Sequence, residues 1–358
     1  MGSGNTERAF LVLEDSTVFS GYSVGKRGTT VGEVVFNTCT ASYEEVLSDP
    51  TYYGQIVAQT YPLVGNRGIE REGDIVANGY IVREWCAAPS DAHGETLDAY
   101  LSRLGIVGIC GVDTRALTRK LRGKGYVKGA ITDSLDDMNR LLEQIRAYSI
   151  HGAVEAVTVK KTEVLLASTP KYKVGVLDYG TPHSLIDALL RRGCTVYLMP
   201  AGSTAEDIKA AGVEAVVFSD GPGDPDDNPQ LIQNIREILP MNLPFIGIGL
   251  GHQMVALALG GKIEKMARGH RGSNQPVRRI SDGRLFVTTQ NHGYCVSSEA
   301  LDPALAEITM VNVNDGSIEA MKLLGYPGET YQFTPVDSAE ITGTSTIYDD
   351  FITRIEEA

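Results

Sequence analysis

Residues 245–253, Phe245-Ile246-Gly247-Ile248-Gly249-Leu250-Gly251-His252-Gln253, pass from a short apolar strand into a turn with glycine at every second position, and then into a helical pattern. The stretches on its N-terminal side repeat that order. Strands are predicted at Val174–Leu177, Thr195–Leu198, Ala215–Ser219 and Phe245–Ile248, with helices at Ser184–Arg192, Ala205–Ala211, Pro229–Ile238 and Gln253–Leu259. Alternating strands and helices imply a doubly wound, largely parallel sheet, in which ligands bind beyond the carboxyl ends of the strands. Two strand ends stand out there: Phe218-Ser219-Asp220-Gly221-Pro222-Gly223-Asp224-Pro225, and the opening stretch itself. The second has the form of a nucleophile elbow, whose first helical N–H groups can face a developing oxyanion. A glycine-rich βα turn with no chemistry fits the same pattern, and the pattern alone does not choose between them.

Upstream, the chain reads differently. Ala9–Leu13, Glu33–Phe36 and Tyr80–Arg83 are short apolar or β-branched runs between glycine turns, followed by helices at Leu97–Leu104 and Thr114–Leu121 around a strand at Ile106–Cys110. This half is predicted to be α+β, with Trp85 in its core. Ser168-Thr169-Pro170 disfavours regular structure. The expected division is therefore a domain over 1–161, a linker over 162–171 and an α/β domain over 172–358.

Composition narrows the class. A chain of 358 residues buries a sizeable core without disulfides or metal. A formal net charge of -13 repels nucleic acid and anionic membranes, so neither is expected as a partner. Five dispersed cysteines form neither a CxxC pair nor a zinc-spaced cluster, which fits a reducing cytoplasm. The N-terminus lacks the layout of a secretory signal, and no apolar run is long enough to span a bilayer.

The motifs then identify a family. Gly32-Glu33-Val34-Val35-Phe36-Asn37-Thr38, Asp49-Pro50-Thr51-Tyr52, Thr60-Tyr61-Pro62, Val112-Asp113-Thr114-Arg115, Asp220 to Pro225, Gly251-His252-Gln253, Gln290-Asn291-His292-Gly293-Tyr294 and Tyr348-Asp349-Asp350-Phe351 occur in order. In these the chain resembles the small subunits of carbamoyl phosphate synthetase, whose C-terminal domain is a class I, triad-type glutamine amidotransferase. The resemblance covers nearly the whole chain. It implies that a cysteine at the elbow attacks the glutamine amide, that a histidine serves as its base and proton donor, and that a glutamate orients the histidine.

All three positions differ here. Gly249 stands at the cysteine, and Tyr331-Gln332-Phe333-Thr334-Pro335-Val336-Asp337 puts Thr334 at the histidine and Val336 at the glutamate. Sliding the alignment supplies no base, because none of the six histidines (His93, His151, His183, His252, His270, His292) follows residue 292. Asp337 and Glu340 would have to act without an imidazole. Glycine suits the strained, positive-φ elbow, so losing the side chain relieves roughly 1–3 kcal/mol. No catalytic residue is therefore expected in this chain.

The resemblance also implies a glutamine pocket formed by Thr51, Gly221, Gly223, Leu250, Gln253, Asn291, Gly293 and Tyr294, although these turns also serve the fold. His252 and His292 are expected to hydrogen-bond within their turns, and Cys295 to be a small buried residue. Polar positions have drifted at Asp178-Tyr179-Gly180-Thr181-Pro182-His183-Ser184 and Gly269-His270-Arg271-Gly272-Ser273-Asn274-Gln275-Pro276. By the resemblance the partner is a large subunit that carries ATP, magnesium and carbamoyl phosphate formation, at the entry to arginine and pyrimidine biosynthesis, with no cofactor or metal on this chain. The expected function is a structural or allosteric subunit supporting ammonia-dependent synthesis without hydrolysing glutamine. The alternative is a regulatory module that binds glutamine uncleaved.

Overall fold

A computed structural model describes residues 7–39, 43–69, 76–90, 94–122, 124, 126–337 and 343–358; His93 and Glu340 lie outside them. The chain divides into two units, Met1–Ile150 with Ala267–Gly269, and His151–Met266 with His270–Ala358.

In the first unit seven strands close a barrel in the order Arg8–Leu13, Val18–Gly25, Val107–Cys110, Gly79–Ile81, Gln55–Gln59, Thr30–Asn37 and Val127–Thr132. Leu11, Leu13, Val34, Ile56, Ile81, Ile109 and Ile131 form one core cluster, closed by the helix Thr114–Leu121 through Leu117 and Leu121. That helix begins where the Asp113 side chain accepts from the Ala116 N–H at 2.9 Å, the usual way to satisfy a first-turn donor. Trp85 is half-buried and packs at the edge of a second cluster, so the expectation that it sits in the core is corrected.

The second unit carries a ten-stranded sheet. Its parallel part runs Cys194–Pro200, Tyr172–Asp178, Ala215–Phe218, Phe245–Ile248, Gly328–Tyr331. Both faces are covered, and the strand period of two sorts the side chains between them. Ala215, Val217, Ile246 and Ile248 pack towards the helices His183–Arg191 and Thr346–Glu357. Val216, Phe218 and Phe245 pack towards the helices Ala205–Ala211, Pro229–Ile238 and Leu250–Ala258. Ile232, Ile235 and Ile238 are buried on one of these helices at about 1.5–3 kcal/mol each.

Beyond Gly328–Tyr331 the sheet continues with antiparallel strands Ile318–Leu323, Ala306–Asn312, Ile263–Arg279 and Leu285–Val296, an extension that the alternating pattern did not announce. The stretch 162–171 holds the strand Glu163–Leu165, which adds antiparallel to Cys194–Pro200 at the sheet edge. Upstream of it, Val154 on the helix Ala153–Val157 packs with Tyr179, Phe218 and Leu250. Residues 151–161 therefore join the second unit. Among the described residues, no helix is long and apolar enough to cross a membrane.

Candidate functional site

Parallel pairing brings the carboxyl ends of Tyr172–Asp178, Ala215–Phe218, Phe245–Ile248 and Gly328–Tyr331 to one edge of the sheet. The elbow lies among them. Gly249 has φ 52° and ψ −110°, a conformation that a side-chain-bearing residue adopts only with strain of about 1–3 kcal/mol. Its N–H donates to the Tyr331 carbonyl at 2.8 Å. Two residues on, a Cβ at Gly251 would stand 2.2 Å from the Phe218 carbonyl oxygen, so only glycine lets the helix start this close to the neighbouring strand. The helix begins at Leu250, three residues before the predicted start.

Asp220 fills the centre of this turn, a role that its place in a loop motif does not announce. Its Oδ1 accepts from the Gly221 N–H at 2.8 Å and the Leu250 N–H at 3.1 Å, and its Oδ2 accepts from the Thr334 hydroxyl at 3.1 Å. A Cβ on Gly249 would fall 1.9 Å from Oδ1 and 2.2 Å from Cγ of Asp220. The carboxylate therefore occupies the first atom positions of any side chain at 249. Burial pushes the Asp220 pKa up, against the opposing pull of the Leu250, Gly221 and Thr334 donors. The signal in the sequence was an acid at one strand end beside a glycine elbow at the next, and only their proximity in space gives it meaning.

The residues that the resemblance aligns with the histidine and glutamate, Thr334 and Val336, are engaged in other contacts. Thr334 places its hydroxyl on Asp220, and Val336 is tied through its backbone to the Thr344 hydroxyl. Asp337 is clamped by Arg191 at 2.8 Å and Arg192 at 3.0 Å. Burial opposes its charge, but the two guanidinium groups outweigh that and hold its carboxyl below the usual range, which leaves a poor proton acceptor. His252 faces Thr330 Oγ1 at 2.8 Å, on a separate strand and not within its own turn as expected. Burial lowers its pKa to about 3, so it stays neutral. Cys295 is half-buried, and burial raises its thiol to about 11, which suits an inert residue and not a nucleophile.

The remaining expected pocket residues divide between the two units. Gly221 and Leu250 meet at Asp220, and Gln253 donates from Nε2 to the Tyr294 carbonyl at 2.9 Å and to Gln332 Oε1 at 3.1 Å. Asn291 and Gly293 lie on the same strand as Tyr294, where Asn291 pairs with Arg271 in the ladder. Gly223 has φ 94° and approaches Ala153. Thr51 belongs to the first unit, where its N–H and hydroxyl both donate to Asp49 Oδ1 at 2.9 and 2.8 Å.

A buried polar network continues from the Tyr294 carbonyl, which lies 2.7 Å from His292 Nδ1. Gln290 Oε1 is 2.9 Å from both His292 Nε2 and His270 Nδ1, and Gln290 Nε2 donates to Glu319 Oε2 at 2.8 Å. Asn312 donates to the other Glu319 oxygen at 2.8 Å, and His270 Nε2 reaches Asp315 at 2.9 Å. Ligand atoms of His270, His292 and Glu319 lie within 4.8 Å of one another, a spacing a metal ion could use. Each of those atoms has a polar neighbour, but both His292 nitrogens face acceptor oxygens, and burial keeps that ring neutral, so it donates to only one of them. Burial works against a charged His270, but Glu319 and Asp315 overcome it and raise its pKa. Chemically the site offers the Leu250 and Gly221 N–H groups, both taken by Asp220, with Gly249 and Thr334 beside them.

Comparison with known proteins agrees along the chain. The family described as carbamoyl-phosphate synthase small chain, CPSase domain, matches residues 11–131, and the class-I glutamine amidotransferase family matches residues 175–354. The carbamoyl phosphate synthase small chain of Staphylococcus haemolyticus is 39% identical over 358 residues, covering 98% of this chain and 97% of its own. That of Fusobacterium nucleatum is 41% identical over 352 residues, covering 97% and 98%, and that of Bacillus caldolyticus 41% over 354 residues, covering 97% and 96%. A solved structure from Thermoplasma acidophilum, described as a putative GMP synthase subunit, aligns at 18% identity with a TM-score of 0.45 over 52% of this chain and 94% of that one. On its two matched domains and its relatives, the chain belongs to the carbamoyl phosphate synthase small-chain family.

Proposed function

We propose that this chain is the small subunit of a carbamoyl phosphate synthase that draws on free ammonia, and that it supports a large subunit without hydrolysing glutamine itself. The observation that carries this reading is the elbow: Gly249 offers no nucleophile, and Asp220 stands where its side chain would project. Removing a nucleophile alone lowers acyl-transfer rates by several orders of magnitude. Thr334 and Val336 supply no proton-transfer group in its place, and Asp337 is held by two arginines. The large subunit would bind ATP, magnesium and bicarbonate and form carbamoyl phosphate, while this chain contributes no covalent step. The alternative reading is a module that holds glutamine uncleaved, and it would have to seat the ligand beside Asp220.

The test is carbamoyl phosphate synthesis by this chain mixed with its cognate large subunit, supplied with ATP, magnesium, bicarbonate and either ammonium or glutamine. Ammonium-dependent synthesis that increases on adding this chain, with none from glutamine, is the expected result. Equal rates from the two nitrogen donors would sink the reading and require a nucleophile elsewhere.

A further inference from the structure

We propose that the Asp220 carboxylate is a built-in occupant of the vacated centre and closes it to carboxamide ligands, glutamine included. This rests on the non-hydrolysing reading above and adds what the pocket refuses. A carboxamide set for attack at an elbow puts its carbonyl oxygen against N–H groups at the helix start and its carbon over the side chain of the elbow residue. Asp220 takes both places. It holds the Leu250 and Gly221 N–H groups with one oxygen and the Thr334 hydroxyl with the other, while its carboxyl atoms lie 1.9 to 2.5 Å from the site of a Cβ on Gly249.

The chemistry of the donors favours this occupant. Leu250, Gly221 and Thr334 come from three different strand ends and converge on the two carboxyl oxygens of Asp220. A ligand carboxamide would have to compete with Asp220 for the Leu250 and Gly221 N–H groups through its one acceptor oxygen. Turning Asp220 away to admit such a ligand removes the acceptor from two backbone amides in a buried site. Residues 249 and 220 are thereby coupled: with Asp220 in place, only glycine fits the elbow.

Calorimetric titration of the full chain with L-glutamine tests this, run on wild type, Asp220→Ala and Asp220→Ser, with circular dichroism to confirm folding and ammonia release followed in parallel. Both variants are expected to bind glutamine at least about tenfold more tightly than wild type, a difference well within calorimetric reach, and to release no ammonia. Acetate, which replaces the lost carboxylate, is expected to compete with glutamine in the variants and not in wild type. Wild type binding glutamine as tightly as the folded variants overturns the proposal, as does a failure of either folded variant to gain binding. Ammonia release by wild type instead overturns the non-hydrolysing reading, and the binding comparison still decides the role of Asp220.

Discussion

At the elbow a buried carboxylate, Asp220, is satisfied by two backbone N–H groups and one hydroxyl; on the strand Ile318–Leu323 a second, Glu319, is satisfied by the side-chain amides of Gln290 and Asn312 and lies 3.5 Å from His270. The two sites are joined through the sheet, since the Gln332 N–H donates to the Glu319 carbonyl at 2.8 Å. Their partners differ in kind. The amides that hold Asp220 exist because the turns exist, and those turns are required by the sheet. The amides that hold Glu319 are side chains placed for that carboxylate. The backbone cradle is therefore set by the fold itself, whereas the side-chain network depends on its individual members.

Replacing the acceptor in the side-chain network carries the largest expected effect. Glu319→Ala leaves Gln290, Asn312 and His270 without their shared buried acceptor, and unfolding in urea should show a loss of about 3–5 kcal/mol. A loss under about 1 kcal/mol would mean that the two carboxylates are equally replaceable.

Next comes the coupling at the elbow. Gly249→Cys should cost roughly 2–3 kcal/mol from positive-φ strain together with the overlap with Asp220. In an Asp220→Ala background the same substitution should cost about 1 kcal/mol less, and a double-mutant cycle by thermal unfolding reads the difference directly. Purely additive costs would contradict the placement of Asp220. Gly249→Cys alone should release no ammonia from glutamine, because no base accompanies it.

A smaller effect is the pH dependence of the network. The folded pKa of His270 is raised, so its contribution is present in full below about pH 6.5 and fades as pH climbs through the folded value. Its partner Asp315 behaves oppositely. Burial works against its charge, but Ser317 and His270 lower its pKa, so its contribution holds above about pH 3.9 and is lost as pH falls through the folded value. The melting temperature of wild type should decline on the alkaline side of neutrality, and His270→Gln should flatten that decline.

The smallest change belongs to Asp220→Asn. Burial raises the Asp220 pKa, so the ionised form weakens the fold at pH above the folded value and not at pH below the unfolded one. A neutral isostere should leave stability at neutral pH unchanged or raise it by up to about 1 kcal/mol, measured by thermal unfolding. A clear loss would show that the charge itself is needed by its three donors.

Much of the parallel region was legible. Phe245–Ile248 and Pro229–Ile238 fall where the apolar runs and the proline-led helix start put them, because sheet burial on both faces demands continuous apolar strands. The helix after the elbow was predicted too late, since Gly251 lowers helix propensity, and the contact of Gly251 with Phe218 and Ser219 restores the early start. The strand Ile263–Arg279 was missed for the opposite reason. Its Lys265, His270, Arg271 and Gln275 show no alternation, register shifts interrupt it twice, and its pairing partners lie in separate strands.

The sequence by itself determined the two-part α+β and α/β order, the glycine elbow, and the identity of Gly249, Thr334 and Val336 at the positions where the resemblance sets a triad, because local periodicity and residue identity carry that information. Only the tertiary structure decided what stands at the elbow. Asp220, Gly249 and Thr334 end three strands separated by long stretches of chain, and parallel pairing alone brings one carboxylate to the donors of the other two strand ends.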